Sequence, residues 1–192
     1  MKRAPKEVVQ DRITQAVVDT AAAKGIGATS MVLVAKAAKV SAGTLYLHFE
    51  SKDDMLQKSF LRLKTELHAR LMEQANAAPT AKDAIRAVWV EMIRFQAERP
   101  SGFLFLEYAG AAQVLTPEQV AQVAPLQLEV NAVVQRAIDD GTITVADLQV
   151  ALNILIGPAL YLARKHTMAG TAVPADEIEN TFSRLWQSLG GS

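Results

Sequence analysis

The 192-residue sequence contains no cysteine, which excludes disulfides, thiolate nucleophiles and cysteine-held zinc or iron–sulfur centres. It has only three histidines, and His48, His68 and His166 stand far apart with no acid at a metal-ligand spacing. A glycine-rich phosphate loop, a Gly-x-Ser-x-Gly elbow and a His-Glu-x-x-His pair are all missing. Folding could assemble scattered carboxylates such as Glu91, Glu98 and Glu107, but nothing in their pattern calls for it. An enzyme is therefore not expected, nor a metal or cofactor. Lys+Arg and Asp+Glu both number 20, so overall charge points to no partner. The most apolar stretch, Ile154 to Ala163, is about half the ~20 residues a membrane helix needs. No apolar run follows Lys2-Arg3, which argues against a secretory signal. A cytoplasmic protein with no membrane partner is the expectation.

Hydrophobic residues make up 50% and charged residues 21% of the sequence, a composition that folds into a globular core. Charge is unevenly placed: up to Phe60 there are nine basic against six acidic residues, so the remainder is acidic on balance. Every strong periodic signal is helical, with no strand alternation, internal repeat or low-complexity tract. Met1 to Lys6 is a polar, basic end, and a first helix is expected from near Pro5 through Val9, Ile13, Ala16, Val17 and Ala21 to a stop at Gly25. Ser30 can cap a second helix, whose Met31, Val32 and Leu33 predict apolar packing, and Lys39 occupies the turn that ends it. Ser41 can cap a third, short helix anchored by Leu45 and Phe49, four residues apart. That leaves Ala42, Gly43, Thr44, Tyr46, Leu47 and His48 to face something else.

Asp53-Asp54 begin a long helix ending at Asn76 to Pro79. Thr80 caps the next, with Ile85, Val88, Trp89, Met92, Ile93 and Gln96 on one face, stopped by Pro100. Ser101-Gly102 open a shorter helix with Phe103, Phe105, Leu106 and Tyr108. Thr116-Pro117 mark another start, and Pro125 is expected to divide that segment in two. Thr144 is expected to cap a helix kinked at Pro158, and a last helix carries Ile178, Phe182, Leu185, Trp186 and Leu189. The sum is an all-α protein of nine to ten helices.

The small residues, hydroxyls, phenol and imidazole of Ser41 to Phe49, following a capped helix and a tight turn, are the residue set of a helix-turn-helix. Thr29-Ser30, Val34 to Ala38, Val40 to Phe49 and Ser51-Lys52 together resemble the DNA-binding domain of the TetR family of bacterial transcription regulators. The resemblance implies a three-helix DNA-binding domain over residues 1–52 and a helical-bundle ligand-binding and dimerisation domain over 53–192. It implies phosphate contacts from Ser30, Lys39, Thr44, Tyr46, His48 and Lys52, with Ala42, Gly43 and Leu47 approaching base edges. Few polar base contacts are then available, so readout leans on apolar contact such as a thymine methyl. His48 has a second reading as a packing residue beside Phe49.

For the body, the resemblance implies a small-molecule effector, largely apolar. Trp89, Met92, Gln96, Phe103, Phe105, Tyr108, Asn153 and Tyr161 are the candidate lining, each with plain core or solvated surface as its alternative. The last two helices, Thr144 to Met168 and Ala175 to Leu189, are expected to pair with a second subunit through Leu155, Leu162, Ile178, Phe182, Leu185, Trp186 and Leu189. The expected function is a homodimeric repressor released from double-stranded operator DNA by its effector. The alternative is a DNA-binding protein of the same kind that works through a protein partner without a small-molecule effector.

Overall fold

The computed structural model describes residues 6–190, with side chains from Val8 onward. The expected basic arm and the helix start at Pro5 lie outside them, apart from Lys6. All nine elements among the described residues are helices: α1 (Lys6–Lys24), α2 (Met31–Ala37), α3 (Ala42–Tyr46), α4 (Lys52–Ala77), α5 (Ala81–Glu98), α6 (Pro100–Ala111), α7 (Pro117–Asp139), α8 (Leu148–Ala169) and α9 (Ala175–Ser188). The chain forms two compact units. One comprises residues up to Lys64 together with Ser101–Val120, the other Thr65–Pro100 with Ala121 onward. The division falls inside α4.

In the first unit, α1 buries the predicted line of Ile13, Ala16, Val17 and Ala21. It stops at Gly25, whose φ of +84° suits a residue without a Cβ. Arg62 of α4 pairs with Asp11 of α1. Phe105 of α6 is fully buried and meets the Phe60 ring at 6.5 Å between centroids. Ser51 caps α4 by accepting from the Asp54 amide at 3.1 Å, while the Asp54 carboxylate accepts from the Glu50 amide at 2.9 Å and from Lys58 at 2.8 Å. That near-reciprocal cap fixes how the chain enters the long helix.

In the second unit, α5 turns Ala84, Ile85, Val88, Trp89 and Ile93 inward and packs chiefly on α8. The Trp89 indole donates to the Leu155 carbonyl at 3.0 Å. Its ring lies 5.6 Å from Phe182, which stacks 6.1 Å from Trp186. Glu91 is 3% exposed, a burial that an isolated carboxylate could not sustain. Arg70 meets it at 2.6 Å and reaches Glu98 at 2.7 Å, and Arg94 stands 3.4 Å away. Burial works against the Arg70 charge, but the bonds to Glu98 and Glu91 outweigh it and hold the guanidinium above its ordinary pKa.

Three local expectations are corrected. Pro125 does not divide α7, which runs unbroken from Pro117 to Asp139: one proline removes one backbone donor, and the ladder on either side carries the helix through. Thr144 does not cap α8. Asp147 does, accepting from the Val150 amide at 3.0 Å, because the Thr144 amide, with that of Val145, is bonded to the Leu189 carbonyl at the end of α9. Val32 does not pack; it is 75% exposed.

The residues expected at the dimer face are largely enclosed by the chain itself. Leu155, Leu162, Phe182, Trp186 and Leu189 are buried in the chain's own core, and Ile178 and Leu185 are partly buried against it. The apolar stripe of α8 and α9 is real, but α5 of the same chain covers it.

Candidate nucleic-acid interface

Ser30 caps α2 in the predicted way, its hydroxyl accepting from the Leu33 amide at 3.3 Å. After α2 the chain must reverse within a few residues. Lys39 makes this possible with a φ of +53°, and its amide and that of Val40 donate back to Lys36 and Ala35 at 3.2 and 3.0 Å. This is the bonding of a helix C-cap usually closed by glycine. Lysine here carries strain of about 1–2 kcal/mol.

Ser41 then caps α3, accepting from the Thr44 amide at 3.0 Å and sharing a hydroxyl–hydroxyl bond of 2.9 Å with Thr44. Leu45 and Phe49 are 0% and 2% exposed, so the predicted anchor line holds a five-residue helix that could not persist by itself. Burying one such side chain stabilises by about 1.5–3 kcal/mol. With those two facing in, Ala42, Gly43, Tyr46 and Leu47 face solvent, Tyr46 at 59% and Leu47 at 73%. Thr44 and His48 are half-buried. The His48 ring lies 6.3 Å from Phe49, in keeping with its second reading. Lys52 is half-buried, and its ammonium donates to the Gly27 carbonyl at 2.7 Å. That bond ties the start of α4 to the turn before α2 and leaves two N–H groups for another acceptor.

The nine residues expected to meet DNA thus all belong to one unit, on α3, in the turns that flank α2 and α3, and at the start of α4. The ligand candidates are divided between the two units. Phe103, Phe105 and Tyr108 belong to the first unit; Trp89, Met92, Gln96, Asn153 and Tyr161 belong to the second. Trp89, Phe103 and Phe105 are core, Met92 is partly buried and Tyr108 is 41% exposed. Tyr161 is 68% exposed, and Asn153 lies on the surface accepting from Gln149. Gln96 differs from all of these: it is 2% exposed and its Oε1 has no hydrogen-bond partner. Gln57 and Lys64 carry no role in the sequence reading. Lys64 is partly buried, and desolvation pushes its ammonium pKa down.

Residues 13–58, which hold all nine residues expected to meet DNA, match the model of the bacterial regulatory proteins of the tetR family. That segment is a tetR-family domain. An uncharacterized HTH-type transcriptional regulator of Haemophilus influenzae is 29% identical over 99 residues, a stretch spanning 52% of this chain and 53% of that protein. A TetR family transcription regulator from Marinobacter aquaeolei VT8 superposes with a TM-score of 0.86 at 22% identity, covering 95% of this chain and 96% of the other. The fatty acid degradation regulator FadR from Bacillus halodurans superposes with a TM-score of 0.76 at 19% identity, covering 95% and 99%. At such identities the structural likeness establishes the fold. Among the described residues no helix is long and apolar enough to cross a membrane.

Proposed function

We propose that the protein is a cytoplasmic, homodimeric, DNA-binding transcription regulator, a repressor released by a small, largely apolar effector. The observation that carries the DNA-binding reading is the short α3, fixed by Ser41, Leu45 and Phe49 so that Ala42, Gly43, Tyr46 and Leu47 stand outward. Small residues at the helix start let the backbone approach base edges, the Leu47 side chain suits a thymine methyl, and Tyr46, Thr44, His48, Lys39, Ser30 and Lys52 can serve phosphates. In a two-fold dimer the half-sites would lie about 34 Å apart or at a multiple of it.

Residues 1–52 would act as the DNA-binding part and 53–192 as the sensing and pairing part. The effector reading is supported by the buried, unpartnered Oε1 of Gln96 beside the partly buried Met92, an acceptor for a donor group on an otherwise apolar molecule. The regulation of fatty acid degradation by the FadR relative is in keeping with an apolar effector. Both units share α4, so a change in one has a helical route to the other, and such coupling is typically worth about 1–3 kcal/mol. For pairing, the outward row of α8 replaces the inward one: Val150, Ile154, Gly157, Tyr161 and Met168 recur at spacings of three, four and seven. Of these, Val150, Tyr161 and Met168 are 46%, 68% and 76% exposed.

Selection of bound duplexes from a random-sequence pool at two salt concentrations tests the reading. The wild-type chain is expected to recover an inverted repeat whose binding weakens as salt rises. Tyr46→Ala with Leu47→Ala should lose that repeat while melting like wild type, since both side chains are exposed. A double variant that recovers the same repeat with the same affinity refutes this placement of the DNA-contacting face.

A further inference from the structure

Gln57, in the second turn of α4, uses both ends of its side-chain amide on one corner of the fold. Its Nε2 donates to the Val114 carbonyl at 3.0 Å, and its Oε1 accepts from Gln119 Nε2 at 3.3 Å. All of these atoms belong to the first unit. The corner, running from the end of α6 to the start of α7, is itself tightly set. Gln113 takes a left-handed φ of +50°, and the amides of Gln113 and Val114 donate back to Gly110 and Ala109 at 3.0 and 3.2 Å, which closes α6. Thr116 and Gln119 then cap α7 reciprocally: Gln119 Oε1 accepts from the Thr116 amide at 3.1 Å, and Thr116 Oγ1 accepts from the Gln119 amide at 3.3 Å. Gln119 therefore presents its nitrogen to Gln57 because its oxygen is already committed. Gln57 must in turn present oxygen to Gln119 and nitrogen to Val114. Turning its amide over would set donor against donor and acceptor against acceptor.

On the other side of this contact stands the DNA-facing segment. Gln57 is flanked by Met55, Leu56, Ser59 and Phe60, all buried. One turn back, α4 is bonded through Lys52 to Gly27, and Phe49, the last anchor of α3, precedes it by three residues. Residues 42–57 therefore form one stiff path, anchored at both ends by contacts within the unit.

We propose that Gln57 is a positioning residue for DNA recognition: with Gln119 and the Val114 carbonyl it clasps the start of α4 to the 113–119 corner and so sets the orientation of α3. This rests on the DNA-binding reading above. The clasp consists of neutral hydrogen bonds of fixed direction, so it constrains geometry without adding charge near DNA. Its loss should lower the affinity for a matched sequence more than the attraction to phosphates in general.

The test uses the full chain as wild type, Gln57→Ala and Gln119→Ala; the second variant leaves every α4 side chain intact in case the first folds poorly. Amide hydrogen exchange of the free protein is the first readout. Residues 42–52 are expected to exchange roughly tenfold faster in both variants, with Ile13 to Ala21 unchanged. The second readout is binding to the duplex that the wild-type chain selects and to a scrambled duplex of the same composition. Affinity should fall about five- to twentyfold for the selected duplex and less than about twofold for the scrambled one. Faster exchange confined to residues 111–119, or an equal loss on both duplexes, overturns the clasp as a positioning device and leaves DNA binding standing. A wild-type chain that selects no duplex removes the DNA reading, and the positioning role with it.

Discussion

Replacing Trp89 tests whether this residue lines an effector site or holds the second unit together. Its indole is 2% exposed, its N–H donates to the Leu155 carbonyl at 3.0 Å, and its ring meets Phe182 at 5.6 Å. Trp89→Phe keeps the aromatic contact and removes two things. Losing the hydrogen bond costs about 0.5–1.5 kcal/mol net, and not more, because a helix carbonyl such as that of Leu155 has a second lone pair in use within its own helix. The space left by the missing ring atoms adds about 1–2 kcal/mol if the surroundings relax only in part. The expected total is about 2–3 kcal/mol, against about 3–5 kcal/mol for Trp89→Ala. For a chain of this size that is a fall in Tm of about 5–10 °C for Trp89→Phe. Both tryptophans, Trp89 and Trp186, lie in the second unit. The Trp186 emission left in the variant therefore follows that unit alone, while helical circular dichroism follows the whole chain. A change below about 0.5 kcal/mol by emission, at the level of an ordinary surface substitution, would refute the core assignment. It would return Trp89 to the list of effector contacts.

Three further outcomes follow from the same geometry. Lys39→Gly relieves the positive φ and should raise stability by about 0.5–1 kcal/mol in chemical denaturation, after the greater backbone freedom of glycine in the unfolded chain is set against it; if Lys39 meets a phosphate, the salt dependence of DNA binding should also drop by about one unit of slope. Glu177 is held below its ordinary pKa by the bonds from Lys165 and then His166, at 2.8 and 3.0 Å, so its stabilising share is full above the unfolded-state value of about 4.3 and is lost as pH falls through the lower folded value. Urea midpoints of wild type and Glu177→Gln should converge below about pH 4, and a gap that stayed constant down to pH 3 would contradict the pairing. Tyr161→Glu with Met168→Glu should yield a folded chain of halved mass in light scattering, whereas Phe182→Glu should unfold the second unit, because a buried unpaired carboxylate costs several kcal/mol; a Tyr161/Met168 variant that stays dimeric moves the interface elsewhere.

What the sequence disclosed and what it hid divide along physical lines. Ser30, Ser41 and Thr80 were legible as caps because a cap bonds within three residues of itself, and Gly25 was legible as a stop because a positive φ is a local demand. Thr144 and Asp147 were equally able to cap α8, and the choice was made by the Leu189 carbonyl, a partner 45 residues away that no local pattern announces. Periodicity disclosed the apolar stripe on α8 and α9 but not its cover, since a stripe facing α5 and a stripe facing another subunit have the same spacing. Gly43, Thr44, Tyr46, His48 and Lys52 stood out as residues that a core would not demand, which is why α3 was readable as an outward-facing element. Gln57 was invisible: a glutamine on a helix is commonplace until its amide is seen to be spent at both ends.

The assignment of Ser101–Val120 to the first unit bears on how such a protein could be rebuilt, by evolution or by design. The polypeptide enters that unit, leaves it along α4, comes back for α6 and departs again in α7. A single crossover in α4 that replaced everything before it would leave Phe105, Val114 and Gln119 facing a foreign surface, with no Phe60 or Gln57 to meet them. An exchange of the first unit therefore has to carry two separate stretches of sequence, and the parts of this protein that fold together are not the parts that are consecutive in its gene.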